Sequence, residues 1–185
     1  MRSISMTVQL VFWLFALTAC TTGDLEDGDR DLVLKIKQLE PYGLRLPENY
    51  SSYESFKREQ WIDGSVTIEY EFQAPEALNL PYLYSVAERH SSSAEACASY
   101  LAGNFGAPLG GVELSVRDDL FQFGSKSRFA LLMADGQPAG NYFAMCRGKT
   151  ASMIILGGFY FDDGELWGEL LSPTLDAITG NKRPD

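Results

Sequence analysis

Cysteine and histidine are the side chains most able to do chemistry near neutral pH, and this chain of 185 residues holds three cysteines and one histidine. The histidine, His90, precedes three serines, but no G-x-S-x-G turn is present to hold one of them as a nucleophile. Ser92 and Glu95 have the spacing of a capping box, which favours a helix start instead. The sequence therefore predicts no catalytic triad at His90.

The sequence also lacks the residue patterns that are typical of metal sites and of sugar-cleaving sites. One histidine without a C-x-x-C pair does not supply a zinc site. In the acidic run 24–31, Gly28 falls on a ligand position of the EF-hand pattern, and no Glu closes the loop. The acid pairs at 118–119 and 162–163 lie where turns or helix caps are expected, and adjacent strand residues point to opposite faces. We expect no catalytic residues, no metal and no cofactor.

The amino-terminal residues 1–19 have the pattern of an export signal. Arg2 is followed by an uncharged, mostly apolar stretch from Met6 to Ala19, which is too short to span a bilayer. The next residue completes the run Leu17-Thr18-Ala19-Cys20, which resembles the lipobox of bacterial lipoprotein precursors. The resemblance implies that signal peptidase II cuts before Cys20 and that lipid is attached to this cysteine. An ordinary secretory signal and an uncleaved anchor are the alternatives.

A cysteine carrying two or three acyl chains would hold the protein on a membrane. Each buried CH₂ contributes about 0.8 kcal/mol, and two chains anchor stably where one does not. Thr21 stands after the cysteine. In the enteric sorting pattern that this segment resembles, Asp there retains a lipoprotein in the inner membrane, so Thr implies the outer membrane, facing the periplasm. The outer face of an inner or cytoplasmic membrane is the alternative.

Two cysteines remain once Cys20 is acylated, and they allow one intramolecular pair. Export places Cys97 and Cys146 where disulfides form and persist. Cys97 shares an apolar helical face with Ala94 and Leu101, and Cys146 lies in a predicted strand. We expect a disulfide that joins helix to sheet, with two separate buried thiols as the alternative.

Composition and charge favour one folded, acidic domain. Hydrophobic residues make up 45% of the chain and the formal net charge is −10, which disfavours binding to nucleic acid. We assign the signal peptide to 1–19, a lipidated cysteine and flexible acidic tether to 20–31, a single domain to 32–180 and a tail to 181–185.

Hydrophobic periodicity predicts an α+β fold, an antiparallel β-sheet with a helix from each half packed on it. Alternation or short apolar runs predict strands at 32–37, 42–46, 54–61, 66–72, 82–89, 112–116, 127–134, 141–147 and 150–156. Helices are predicted from Ser92 to about residue 105 and from Asp162 or Asp163 to Gly180, the second with Leu166 on its apolar face and a kink or restart at Pro173.

The segment YGLRLPENYSS at 42–52 resembles the opening strand and turn of Mog1/PsbP-like domains. The middle helix, the three-stranded meander and the closing helix follow in matching order over most of 40–180. The resemblance implies an α/β/α sandwich and an accessory or binding protein, and it carries no catalytic motif.

These patterns together predict a lipid-anchored, non-catalytic binding or accessory module of the cell envelope with a protein partner. A small hydrolase using acidic residues and a carrier of an apolar ligand are the alternatives. Aromatic side chains in the first half could line a groove for sugar or peptide, or fill the core. They are Tyr42, Tyr50, Tyr53, Trp61, Tyr82 and Tyr84.

Overall fold

The computed structural model describes residues 21–46, 53–73, 81–102 and 112–180. They form an antiparallel sheet whose strand order is β1-β2-β3-β4-β8-β7-β6-β5. The strands are β1 Thr21–Thr22, β2 Tyr53–Gln60, β3 Val66–Gln73, β4 Tyr82–Arg89, β5 Glu113–Val116, β6 Ser127–Ala134, β7 Gln137–Arg147 and β8 Thr150–Gly157. The predicted α+β class and the meander of β6, β7 and β8 are confirmed.

Within the described residues, the helices α1 Ser93–Ala102 and α2 Gly164–Thr179 pack on opposite faces of this sheet. Alternate residues of the central strands divide the core in two, so Met145 lies on the α2 side and Cys146 on the α1 side. Helix α2 contributes Trp167, which is fully buried, to the larger of the two cores. Strand β4 pairs with β8 and so joins the two halves of the chain into one sheet.

The predicted strand at 32–37 is wrong. This segment joins two 3₁₀ helices, Asp29–Leu32 and Ile36–Tyr42, and its apolar side chains are buried in the α2-side core. Side-chain hydroxyls satisfy the backbone where a neighbouring strand would have done so: Leu34 N–H donates to Ser85 Oγ (2.9 Å) and Ile36 N–H to Tyr70 Oη (3.2 Å). The short strand expected at 42–46 is also absent from the described residues.

The segment predicted as a free tether is instead docked on the sheet from Thr21 onward. Thr21 and Thr22 pair with Gln60 and Glu59 at the edge of β2. Asp29 is buried, and its Oδ2 accepts a hydrogen bond from Arg58 Nε at 3.2 Å. A buried carboxylate needs such a charged partner, so the ion pair fixes the segment in place.

Helix α2 begins and ends where the sequence predicts. Asp163 Oδ1 accepts hydrogen bonds from the N–H groups of Glu165 and Leu166, and Gly180 follows the last turn with φ of 72°. Two details differ from prediction. The helix runs through Pro173 without a break, and Leu166, expected on the apolar face, is 43% exposed.

Candidate functional site

An open groove of about 500 Å³ lies where the second 3₁₀ helix meets the start of α2. We call it the aromatic groove. Its lining residues are Pro41, Tyr42, Gly43, Phe159, Tyr160, Phe161, Asp162, Asp163 and Leu166. The volume lies within the range of about 300–1,000 Å³ that is typical of small-ligand sites.

The floor of the aromatic groove is a cluster of aromatic rings in mutual contact. Phe161 is buried and meets Tyr42 edge to face, with ring centroids 5.6 Å apart, and Phe159 at 5.4 Å. Behind the floor, Phe161 contacts the buried Trp167 at 5.4 Å. Edge-to-face and tilted arrangements at these distances are favourable for aromatic rings. The floor is therefore tied directly to the hydrophobic core.

A buried asparagine on β7 sets the path of residues 158–163, which we call the groove segment. The side-chain amide of Asn141 donates to the carbonyl of Phe161 (2.8 Å), and its oxygen accepts from the Phe161 N–H (2.7 Å). Asn141 is fully buried, so both bonds form away from water. Gly158 N–H donates to Ala139 O at 2.7 Å, and its φ of 76° turns the chain away from β8. Distant residues of β7 thus position Phe161.

The rim of the groove is exposed, apolar and acidic. Tyr160 and Leu166 are each 43% exposed. Asp162 is also exposed, whereas Asp163 uses its carboxylate to cap α2. Apolar contact area beside a carboxylate suits a partner that presents an apolar anchor next to a cation.

Of the first-half aromatic residues that the structure describes, Tyr42 alone lines this groove. Tyr82 and Tyr84 pack on the α1 side of the sheet, where burial, followed by the charge of Glu69, raises the pKa of Tyr84. Tyr50 lies outside the described residues. The sequence pattern does not predict a site at Phe159-Tyr160-Phe161, because this run belongs to no periodic element. Three aromatic rings in a row, separated from a predicted strand by two glycines, are the sequence feature that could have indicated the groove.

Cys97 and Cys146 lie at disulfide distance, with their Cα atoms 5.3 Å apart. This separation falls within the range that a disulfide requires, so the geometric part of that prediction is confirmed. The helical face differs from prediction, because Ala96 and Tyr100 are buried whereas Ala94 is exposed. A second open groove of about 500 Å³ borders the pair and is lined by Lys126 and Arg147 among others.

The residues around His90 form the predicted capping box. Ser92 N–H donates to Glu95 Oε2 (3.0 Å), and Glu95 N–H donates to Ser92 Oγ (3.2 Å). Ser91 Oγ also donates to Glu95, and these hydrogen bonds, Ser91's first, lower the pKa of the Glu95 carboxyl. His90 Nε2 lies 3.2 Å from Glu88 Oε2. The serines beside His90 therefore have a structural role at the start of α1.

The acid pairs also have local partners. Asp118 Oδ1 accepts a hydrogen bond from Phe129 N–H at 2.9 Å, and Asp119 pairs with Arg117. Hydrogen bonds from Arg117 lower the pKa of Asp119. Within the described ranges, no group of three or more His, Cys, Asp or Glu residues is arranged to hold a metal ion.

The lipobox residues Leu17, Thr18, Ala19 and Cys20 lie outside the described residues. Across the part of the chain that the structure describes, no helix has the length and hydropathy needed to cross a membrane. Comparison of the chain with protein-family models, with curated proteins and with solved structures finds no significant match.

Proposed function

We propose that the chain is a lipid-anchored protein of the cell envelope whose folded domain binds a protein partner, without catalysis, through the aromatic groove. The observation that carries the proposal is this groove, because its ring floor is fixed by the core while Tyr160 and Leu166 stay exposed at its rim. Tyrosine is enriched among the residues that dominate binding at protein interfaces, and binding sites are usually preformed depressions.

The anchor is the lipid on Cys20, and the proposed location is the outer membrane, with the domain in the periplasm. The lipobox run and Thr21 support this location. Placement of the two helices on opposite sheet faces is compatible with the α/β/α layering of Mog1/PsbP-like domains, and we include that resemblance in the proposal. It favours an accessory or binding role.

The chemistry of the rim indicates which kind of partner segment would bind at the groove. Leu166 and Tyr160 offer apolar contact, and the exposed Asp162 adds a negative charge to an acidic chain. A partner segment with an apolar or aromatic side chain next to Lys or Arg would match both features. The carboxylate of Asp163 is already bound by two backbone N–H groups, which gives it a structural task in place of the acid–base role that the hydrolase alternative requires.

Site-specific photo-crosslinking in intact cells tests this function. A photo-reactive amino acid at Tyr160 should give a discrete protein adduct, and Leu166→Asp in the same chain should abolish it. Val116 is the matched control position, because it is similarly exposed (48%), lies on β5 and does not line the groove. The same adduct from both positions, or no adduct from Tyr160, would refute partner binding at the groove.

A further inference from the structure

Register pairing brings the start of the folded domain to one end of the sheet. Thr21 pairs with Gln60, Gln60 with Val66, and Val66 with Arg89. The same row continues through Thr150 to the β7–β8 turn. Since Thr21 directly follows Cys20 in the sequence, a lipid on that cysteine would be tied to this end. We call it the anchor end.

The anchor end carries an exposed apolar tip. The β2–β3 connection contains Trp61 and Ile62, which are 38% and 72% exposed. Local hydrogen bonds fix the tip, since Trp61 N–H donates to Ser65 O (2.9 Å) and its indole N–H to Thr67 Oγ1 (3.0 Å). Among the described residues, Ile62 is the most exposed of the large hydrophobic side chains. The tip is thus preorganised with its apolar surface toward solvent.

The charge distribution distinguishes this end from the rest of the molecule. Four exposed cations lie on it, and none of them forms an ion pair within the part of the chain that the structure describes: Arg89, Lys126, Arg147 and Lys149. They balance four carboxylates at the same end: Glu59, Asp63, Glu88 and Glu95. The net charge of −10 is therefore carried by the rest of the chain.

We infer that the anchor end docks on the lipid surface that holds the Cys20 anchor, with Trp61 and Ile62 inserted at the level of the headgroups. Tryptophan favours the membrane–water interface, and Lys and Arg side chains favour anionic headgroups. The acidic remainder of the domain is repelled by the same headgroups and faces away. This inference rests on the lipid anchor of the proposed function and adds a defined orientation to it.

The orientation has a consequence for the aromatic groove. The groove segment follows Gly157, which pairs with Tyr82 and Gly140 at the opposite end of the strands. The eight residues of β8 extend about 23 Å at about 3.3 Å per residue. Docking through the anchor end therefore holds the aromatic groove away from the membrane, where a partner can reach it.

Tryptophan fluorescence tests the docking with the complete lipidated protein. Removal of the leader takes away Trp13, so the mature chain has Trp61 at the tip and Trp167 in the core. The protein is reconstituted in phosphatidylethanolamine–phosphatidylglycerol vesicles whose acyl chains are brominated and quench nearby indoles. We expect the Trp61 emission to be quenched. Trp61→Phe, which retains only Trp167, should show no quenching.

Two further variants separate docking from anchoring. Ile62→Asp should remove the quenching while the protein still sediments with the vesicles. Tyr53→Asp is the matched control, because Tyr53 is 52% exposed at the other end of β2, and its quenching should equal that of the wild type. Unquenched Trp61 in protein that carries lipid on Cys20 would overturn the docking and leave the anchor intact. Absence of lipid on Cys20 would overturn both.

Discussion

Replacement of Asn141 by Leu should destabilise the domain and release the aromatic groove from the sheet. Leu has a similar volume, so the change removes both hydrogen bonds to Phe161 without leaving a large cavity. The buried N–H and carbonyl of Phe161 would then lack partners. Each of these two unsatisfied backbone groups costs about 1–3 kcal/mol, so the unfolding free energy should fall by about 2–6 kcal/mol.

Urea unfolding of the mature chain carrying Cys20→Ser and Trp61→Phe, in which Trp167 next to Phe161 is the remaining tryptophan, measures this loss. Gln137→Leu is the matched control, since Gln137 lies exposed on the same strand and surface changes usually stay within about 0.5 kcal/mol. A loss below about 1 kcal/mol, or one equal to that of the control, would refute the reasoning that Asn141 holds the groove segment.

Non-reducing mass spectrometry of the native protein should find Cys97 bonded to Cys146. The double Ser variant should lose up to about 4 kcal/mol of stability for a separation of 49 residues, and two freely alkylated thiols would reject the bond. Ser92→Ala should cost about 1 kcal/mol in urea unfolding, because it removes the cap of α1. Hydrogen bonds from Ser91 and Ser92 lower the pKa of Glu95, and an NMR titration of the variant should show this pKa rising toward its ordinary value. Because the pKa is lowered on folding, the stability contributed by Glu95 is present above the unfolded pKa and is lost as pH falls through the folded pKa. An unchanged pKa in the variant would contradict the role of the Ser92 hydroxyl.

The sequence predicts those elements whose signals are local. Strand β3 alternates apolar and polar residues along its length, and the structure places Ile68, Tyr70 and Phe72 in the core as that alternation requires. The capping box at Ser92 and the Asp163 cap also depend on neighbouring residues alone, and both are confirmed.

The features that could not be predicted depend on distant partners. The segment 32–37 has the alternation of a strand, but it adopts a different conformation in which distant hydroxyls satisfy its backbone. Leu34 N–H donates to Ser85, 51 residues away in sequence, and Ile36 N–H donates to Tyr70, 34 residues away. Phe161 is likewise positioned by a hydrogen bond to Asn141, which lies 20 residues earlier on β7. Hydrophobic periodicity within a short stretch of sequence does not predict contacts between residues that lie far apart in the chain.

We propose that a lipid on Cys20 holds the binding domain on a membrane. Metabolic labelling with an alkyne fatty acid, followed by membrane fractionation, tests it most directly. We predict that the wild-type chain takes up label and sediments with membranes, that Cys20→Ser loses the label and becomes soluble, and that Cys97→Ser keeps the label. An unlabelled wild type together with a Cys20→Ser variant that still fractionates with membranes would contradict the claim.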